Sequence, residues 1–343
     1  MTQQYAFIEG RNLSKLIAAL SSIYKVVTPA GENDYIWQNT KEEYSFNKYR
    51  AVTSIRQFYI PSQEHLNDYF SPLEYMPQPI CILGAKNCDL TSLYIQDYVF
   101  LQGEPDARYA QMRERNLIIS SDCTAFKDVC FCLALKINPY PDKLFDLNLA
   151  PAGSGYLVEI GSDKGKEIVK KNITLFELSE PRHIEERRLQ REKMVENLSR
   201  YLGTLDLVKD KELYGLVKNN PEHAFWAHEA LRCVECGACI MNCPTCHCFL
   251  LCDTKQGSDY VRSRIWDGCQ YKNFTRVAGG ANPLKMRKSR LRNRYVKKFE
   301  FFPDNLNMYA CTGCGRCIES CPAKIDLREI FKKLKANPEV VKL

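Results

Sequence analysis

The chain has 343 residues, of which 45% are hydrophobic and 26% are charged, a composition typical of a folded protein with about two domains rather than a disordered one. Its formal net charge of +7 is too mild to indicate nucleic-acid binding by itself. The longest apolar runs are far shorter than the roughly 18 residues that a transmembrane helix needs, and the first residues do not resemble a signal peptide, so we expect a cytoplasmic protein without a membrane span.

The predicted elements of residues 1–175 alternate between helix and strand. Residues 10–24 carry apolar side chains at helical spacing, which predicts an amphipathic helix. Strand-like apolar runs follow at residues 79–83, 116–120 and 155–160, separated by segments rich in Pro and Gly. This order predicts a mixed α/β domain.

Glu, Arg and Lys dominate residues 176–230. Within this segment, apolar residues recur at helical spacing from 181 to 202, which predicts a long helix. We interpret the segment as a helical connector between the first domain and residues 231–343.

Cysteine is the residue type that this chain uses most unusually, with 17 copies. A large chain without an export signal is not expected to use them for disulfides, and their number is odd. Many of them are also spaced too tightly to pair with one another. Metal binding is therefore the better interpretation.

Two segments within residues 231–343 share the spacing C-x2-C-x2-C-x3-C-P. This spacing lets one tight loop offer three cysteines to a 4Fe–4S cubane, and glycines such as Gly237 and Gly315 let the backbone approach it. In two-cluster ferredoxins the fourth cysteine of each motif binds the other cluster. We therefore predict two 4Fe–4S clusters, the first bound by Cys233, Cys236, Cys239 and Cys321, and the second by Cys311, Cys314, Cys317 and Cys243.

Paired CxxC sequences also occur in structural zinc sites. A further cysteine and a Cys-Pro pair rarely extend such sites, and here they do so twice. The 67 residues between Cys243 and Cys311 exceed what a small ferredoxin inserts. The fold class is therefore predicted as α+β, with an N-terminal mixed α/β domain, a helical connector and a C-terminal α-helical ferredoxin-like domain that holds two 4Fe–4S clusters.

Four further cysteines come from two loop-like segments of the first domain. Cys88 follows a predicted strand, whereas Cys123, Cys130 and Cys132 lie close together further along the chain. Four cysteines from two loops could bind a third 4Fe–4S cluster, which is the interpretation we favour. The alternative is that they are buried thiols, as we expect of Cys81 inside its apolar strand.

Three more cysteines have no assigned role: Cys246 and Cys248, which directly follow the first motif, and Cys269. They could bind a further metal, with Cys252 as a fourth member. They could equally line the cluster cavity and tune its potential through thiol hydrogen bonds and burial. The sequence leaves both interpretations open.

A basic segment precedes the second motif, with eight Lys and Arg residues between positions 285 and 298. It could dock an acidic partner. It could also form a solvated helical face or pack near the anionic clusters, and we favour this second interpretation. The segment shows no repeated pattern of interleaved aromatic residues for base stacking, so we expect no nucleic-acid partner.

Several segments together resemble the iron–sulfur β-subunits of cytoplasmic nickel–iron hydrogenases (sulfhydrogenases) and the A-subunit of anaerobic sulfite reductase. The resemblance covers most of the chain and is most specific from residue 233 to residue 326. The segments are GAKNCDL at 84–90, CFC at 130–132, CPTCHCF at 243–249, IWDGC at 265–269 and FTRVAGG at 274–280.

The resemblance implies an electron-transfer subunit of a hetero-oligomeric complex. Such a subunit passes electrons between a subunit with a catalytic metal centre and a flavin-containing NAD(P)H- or ferredoxin-linked reductase subunit. The resemblance also supports the third cluster, because similar cysteines recur in the family. No P-loop, dinucleotide-binding glycine motif or Ser/His/Asp set indicates a catalytic site. The alternatives are the A-subunit of anaerobic sulfite reductase, a reductase that binds its own anionic substrate, and an iron–sulfur scaffold or oxygen-sensing regulator.

Overall fold

The computed structural model describes residues 4–30, 34–37, 48–68, 77–222 and 224–336. Strands in the described residues form two separate sheets. In chain order they are β1 (Gln4–Glu9), β2 (Lys25–Ala30), β3 (Asp34–Trp37), β4 (Gln63–Asp68), β5 (Ile80–Ala85), β6 (Leu117–Ser121), β7 (Leu147–Ala152), β8 (Gly155–Ile160), β9 (Glu177–Leu178), β10 (Phe249–Gln256) and β11 (Asp259–Trp266).

Helices lie between and after these strands. None of the described helices is both long and apolar enough to cross a membrane. In chain order they are α1 (Gly10–Leu20), α2 (Asn87–Leu101), α3 (Ala107–Arg115), α4 (Asp163–Lys171), α5 (Pro181–Gly203), α6 (Asp210–Leu213), α7 (Ala224–Arg232), α8 (Ala238–Met241), α9 (Arg287–Val296), α10 (Phe302–Leu306), α11 (Arg316–Glu319) and α12 (Leu327–Ala336).

The larger sheet is mixed and has the strand order β3-β2-β5-β6-β7-β8-β1-β9. Its central strands β2, β5, β6 and β7 are parallel neighbours, and the other pairings are antiparallel. On β5, Cys81 and Leu83 face the core under α1, whereas Ile80 and Ile82 face the core under α2 and α3. Helices thus cover both faces of the sheet, which explains why the central strand β5 is apolar and buried along its whole length.

The elements predicted for the first 175 residues are present in the structure. The first helix ends at Leu20, a few residues before the predicted end, because the chain enters β2 at Lys25. The three predicted strands correspond to β5, β6 and β8, each displaced by no more than two residues. The mixed α/β part of the predicted fold is therefore confirmed.

Helix α5 is the long helix predicted within the connector. A proline in its first turn and a capping box between Glu180 and His183 begin it. The helix packs along the large sheet, where Arg187 lies 2.8 Å from Glu159 and Arg191 lies 2.6 Å from Asp122. These partly buried ion pairs fix the direction of the chain as it leaves the sheet, while the predicted domain boundaries stay a prediction.

The C-terminal helices share an aromatic core. The ring centroids of Trp226 on α7 and Tyr295 on α9 are 5.6 Å apart, and those of Phe299 and Phe331 are 4.6 Å apart with nearly perpendicular planes. Cysteines of both motifs pack against this core. It therefore supports the segments that carry the predicted clusters.

The segment between the two motifs differs from the helical domain that the sequence predicts. It contains the hairpin β10–β11, which turns at Gly257 with φ 61° and pairs with β4 to form a three-stranded sheet. Most of β10 is exposed to solvent. Its apolar residues are consecutive rather than alternating with polar ones, so the sequence gives no clear strand signal. The first half of the chain thus supplies the third strand of this sheet.

A buried ion pair joins the hairpin to β4. The guanidinium of Arg264 on β11 lies 2.5 Å from the carboxylate of Glu64, and it also pairs with Asp106. The side chains of Arg264 and Glu64 are only 2% and 5% exposed.

We predict that the variant Arg264→Met is less stable by about 3 kcal/mol, because Glu64 keeps its buried charge and loses its nearest cation. The apparent melting temperature of the holoprotein should fall by roughly 5 °C or more. Arg262→Met is the matched control on the same strand, since Arg262 is 44% exposed and its pair with Asp253 contributes less than about 1 kcal/mol. Equal shifts in the two variants would contradict the assignment.

Candidate metal centres

The two cysteine motifs fold alike. In each, a glycine with left-handed backbone, Gly237 at φ 76° or Gly315 at φ 71°, precedes the one-turn helix α8 or α11. Glycine adopts this conformation without the steric cost that a side chain brings, so the loop can close tightly. Helices α8 and α11 contact each other, which places the two motifs side by side.

One cavity gathers the first predicted ligand set. Its lining contains Cys233, Cys236 and Cys239 of the first motif and Cys321 of the second, together with Cys317. Burial raises the pKa of the Cys239 thiol to about 12. Because the thiolate is the metal ligand, this residue is expected to ionise only when positive charge is bound beside it.

A second, adjoining cavity gathers the other predicted set. Its lining contains Cys311, Cys314 and Cys317 of the second motif and Cys243 of the first. Burial raises the pKa of the Cys311 thiol to about 12. Cys243 differs, because a hydrogen bond from the Cys246 thiol lowers its pKa well below the ordinary value.

The fourth cysteines are thus exchanged between the motifs. Cys243 lies with the cysteines of the second motif, and Cys321 lies with those of the first. This placement agrees with the crossed sets that the sequence predicts. Iron binding by these eight cysteines stays a prediction.

The polar atoms of the cavities suit an anionic cluster. Arg294 lines both cavities, and its buried Nε has no hydrogen-bond partner among the described residues. Thr312 lines the second cavity, and within the same residues its Oγ1 is also buried without a partner. A buried donor is costly unless it finds an acceptor. The sulfides and thiolates of a 4Fe–4S cubane are such acceptors, so the residues present fit this group.

The arrangement does not suit a single ion. Among the described residues, no three His, Cys, Asp or Glu side chains converge as one metal ion requires. Zinc ligands must meet within about 2.3 Å of a single centre. In a cubane each cysteine binds a different iron, so its four ligands surround a larger volume. The spread of the cysteines is compatible with cubane ligand sets, and the bound metal stays a prediction at this point.

The basic segment before the second motif contains both buried and exposed residues. Arg290, Arg294 and Lys298 follow one another at four-residue intervals and are buried, whereas Lys285 is exposed. The last of the three falls in a π-helical turn, and its Nζ lies 3.4 Å from Cys243 Sγ. The buried part of this segment therefore packs near the cysteines, as we favoured from the sequence.

The four cysteines of the first domain each lie within electrostatic range of at least one other member of the set. Cys88 is the second residue of α2 and Cys123 follows β6, so both lie beyond the carboxyl ends of the neighbouring parallel strands β5 and β6. Burial raises the pKa of these two thiols and of Cys130 and Cys132, and nearby thiols, including Cys314 of the second motif, raise them further. The structure thus brings the four together beside the second cavity, and a third cluster there stays a prediction.

The loop that carries two of these cysteines packs directly on the second motif. The amide of Phe131 donates to the Gly313 carbonyl oxygen over 2.8 Å. A Cβ on Gly313 would lie 2.5 Å from the Cα of Cys132, and one on Gly315 would lie 2.1 Å from the Val129 carbonyl oxygen. Both glycines are therefore required for this backbone contact.

Sequence reasoning missed the buried charges that connect the two halves. Arg316 and Asp89 form a fully buried ion pair of 2.9 Å, and Arg50 Nε donates to the Cys314 carbonyl oxygen over 2.9 Å. Lys86 is also fully buried. The place of Lys86 and Asp89 within the segment GAKNCDL was a usable signal, whereas nothing local marks Arg50.

The cysteines without an assigned role surround the predicted ligands. Neither cavity is lined by Cys246, Cys248 or Cys269. The thiol of Cys246 donates a hydrogen bond to Cys243. Cys269 lies within electrostatic range of Cys239 and Cys248. Both interpretations of these three cysteines, tuning of the clusters and a further metal site, stay predictions.

Two cysteines lie elsewhere. Cys81 is 1% exposed within β5, and burial raises its pKa, as expected of a buried thiol. Cys252 lies on the hairpin, where its Sγ is 3.7 Å from the Ser263 carbonyl oxygen. Neither has a place beside the two cavities.

Comparison with known proteins extends these observations. Residues 232–325 match the family model described as a 4Fe-4S dicluster domain. The chain is 32% identical over 261 residues to the beta subunit of sulfhydrogenase 2 of Pyrococcus furiosus, which covers 74% of this chain and 73% of that protein. It is 25% identical over 153 residues to the B-subunit of the fumarate reductase (CoM/CoB) of Methanothermobacter marburgensis, covering 41% of this chain and 24% of that protein. It is 22% identical over 179 residues to the beta subunit of the F420-dependent formate dehydrogenase of Methanocaldococcus jannaschii, covering 52% and 38%.

The dicluster match contains all eight cysteines of the two motifs. The sulfhydrogenase match extends the likeness over most of the chain, and these findings confirm the resemblance predicted from the sequence. The chain belongs to the iron–sulfur β-subunit family of hydrogenases and sulfhydrogenases.

Proposed function

We propose that the chain relays electrons between a subunit with a catalytic metal centre and a flavin-containing reductase subunit. The observation that supports this most directly is the pair of adjoining cavities, each lined by cysteines from both motifs. A 4Fe–4S cluster in each would supply a one-electron carrier. Arg294 and Cys317 line both cavities, so the two carriers would be close neighbours.

In this proposal the protein holds and shields the carriers. The apolar residues Leu291, Tyr295 and Ile325 help to line the first cavity and exclude water from it. Lys298 places its ammonium beside Cys243 and is held there by Thr245, whose Oγ1 is 2.7 Å away. Burial, cationic charge and hydrogen bonds to sulfur are the means by which a protein sets the potential of such clusters.

We further infer a third cluster bound by Cys88, Cys123, Cys130 and Cys132. Cys314 lies within electrostatic range of Cys88 and Cys130, so this cluster would neighbour the second cavity rather than the first. The three carriers would then form a line with the second cluster in the middle. Such a line would carry electrons from the first cluster through the second to the third, or in the reverse direction.

One end of the proposed line reaches the surface. Cys236 is exposed, and beside it Val234 and Leu231 are 65% and 79% exposed. Lys272 and Arg276 are exposed on the loop that follows the cavity residue Gln270. The exposed apolar residues next to Cys236 suit contact with a redox partner, and the two exposed cations would attract acidic groups on that partner.

The catalytic partner is a separate question. The relatives are by name subunits of a sulfhydrogenase, a fumarate reductase and a formate dehydrogenase, so chains of this kind occur with several catalysts. The same relay would serve a hydrogenase or an anaerobic sulfite reductase, whose A-subunit is our alternative. Clusters of this kind need reduced thiols, so we place the complex in the cytoplasm.

Crossed ligation makes a prediction for double variants. Cys236→Ala with Cys321→Ala should damage one cluster only, because both residues serve the first cavity. Cys314→Ala with Cys321→Ala should damage both clusters, because the two residues lie in different cavities. Iron analysis and low-temperature EPR of anaerobically prepared protein would count the remaining clusters. If each motif held its own cluster, the two results would be exchanged.

The third cluster predicts an iron content of about twelve per chain, since three clusters hold four irons each. Cys130→Ala should lower this to about eight and leave the EPR signals of the other two clusters in place. Cys252→Ala is the matched control, because its thiol lies on the hairpin, and it should keep all of the iron. A wild-type chain with about eight irons, and no loss in the Cys130 variant, would contradict the third cluster.

A relay without a substrate site should not turn over substrate alone. The isolated, iron-loaded chain is expected to take electrons from a reduced viologen dye and pass them to an artificial acceptor, but not to reduce sulfite or protons. Dye oxidation with and without sulfite, together with hydrogen evolution, measures this. Sulfite-dependent turnover by the pure chain would favour the alternative of a reductase with its own anionic substrate.

A further inference from the structure

Arg294 occupies the position between the two predicted clusters. It lies on α9, is 6% exposed and lines both cavities. Its Nη2 donates to the carbonyl oxygen of Cys239 over 3.3 Å, and its Nε has no hydrogen-bond partner among the described residues. A single guanidinium is therefore available to both sites.

The structure gives this cation no carboxylate partner within the described residues. Its neighbours along the segment differ in this respect. Arg290 pairs with Glu235, and Arg292 lies 3.1 Å from Glu222. A buried charge without a counter-charge is strongly unfavourable. The negative charge that Arg294 requires must therefore come from the cavities themselves.

The groups around Arg294 agree with this interpretation. Cys317, Cys239 and Cys243, three of the predicted cluster ligands, all lie within electrostatic range of its guanidinium. Cys317 lines both cavities, whereas Cys239 lines only the first and Cys243 only the second. Ligands of both predicted clusters thus act on the same guanidinium.

We propose that Arg294 sets the reduction potentials of the first and second clusters together, as a positive charge that the two share. The inference rests on the proposed function, because it needs a cluster in each cavity. Each cluster takes up one electron without the making or breaking of a bond, so its negative charge increases by one. A nearby fixed cation stabilises that reduced form and favours electron entry at both sites.

The consequence for the relay is that Arg294 raises both potentials and leaves the difference between them unchanged. A cation beside only one cluster would make that cluster the lower-energy site for the electron. A cation that lines both cavities stabilises the electron on either cluster, so it favours neither direction of passage between them. Lys298 contrasts with Arg294, because it lines only the second cavity and bonds Cys243 there.

The test is a redox titration of the anaerobic holoprotein, followed by EPR. In Arg294→Gln the ratio of oxidised to reduced cluster at a fixed potential should rise about tenfold for both clusters, as loss of a nearby unit charge implies. That ratio corresponds to about 59 mV for a one-electron couple. Arg294→Lys should keep both ratios within about threefold, because it keeps the charge.

Arg292→Gln is the matched control, two residues away on the same helix and partly exposed, and it should change neither ratio. Lys298→Met should shift the second cluster alone. A fully loaded Arg294→Gln variant with unchanged ratios, or with one ratio changed, would overturn the shared role. Loss of iron from the Gln variant but not from the Lys variant supports the need for charge, whereas loss from both makes Arg294 structural and overturns the inference.

These outcomes separate the inference from the function on which it rests. Fewer than two cubane EPR signals in the wild-type chain would contradict the proposed relay function itself. If the wild-type chain shows both signals and the Arg294→Gln ratios equal those of the wild type, only the role of Arg294 is contradicted.

Discussion

The structure depends on placing buried cationic nitrogen beside buried cysteine sulfur. A cluster with four thiolates is negatively charged, and the interior of a protein disfavours such charge unless opposite charge lies close to it. Helix α9 and its π-helical continuation supply Arg294 and Lys298 at the cavity walls. The aromatic core behind them holds this helix against α7 and α12, so the packing of ordinary apolar residues fixes where the charges lie.

The same principle joins the two halves of the chain. Arg316 follows a motif glycine, yet its counter-ion Asp89 lies on α2 of the large sheet, and neither side chain reaches solvent. Arg50 reaches from the first half to the backbone of Cys314. Removing either partner would leave a charge or a carbonyl group without its partner. The second cysteine motif is thus part of the interface with the first half, and the four cysteines of that half lie on the other side of it.

Local covalent spacing made the two motifs predictable, because four cysteines at fixed intervals can wrap only a few kinds of metal centre. Apolar runs likewise identified β5, β6 and β8. Of these, β5 and β6 are parallel neighbours between two helical layers, so both of their faces are expected to be buried. The partnership of Arg316 with Asp89 was not predictable, because it joins residues 227 positions apart and leaves no pattern in either segment. The hairpin was missed for a different reason. Leu250 and Leu251 are both about half exposed, so successive side chains do not alternate between apolar and polar.

The sheet formed by β4, β10 and β11 has a consequence for how the molecule is made. The ion pair between Arg264 and Glu64 joins residues that are 200 positions apart in the chain. The backbone contact between Phe131 and Gly313 is of similarly long range. Contacts of such long range form late, and β4 leaves the ribosome long before its partner strand exists. The cavity walls are complete only when the last motif has been synthesised and has docked on residues 129–132. Insertion of the proposed clusters would therefore follow synthesis of the second motif, and the apoprotein must hold its thiols reduced until then.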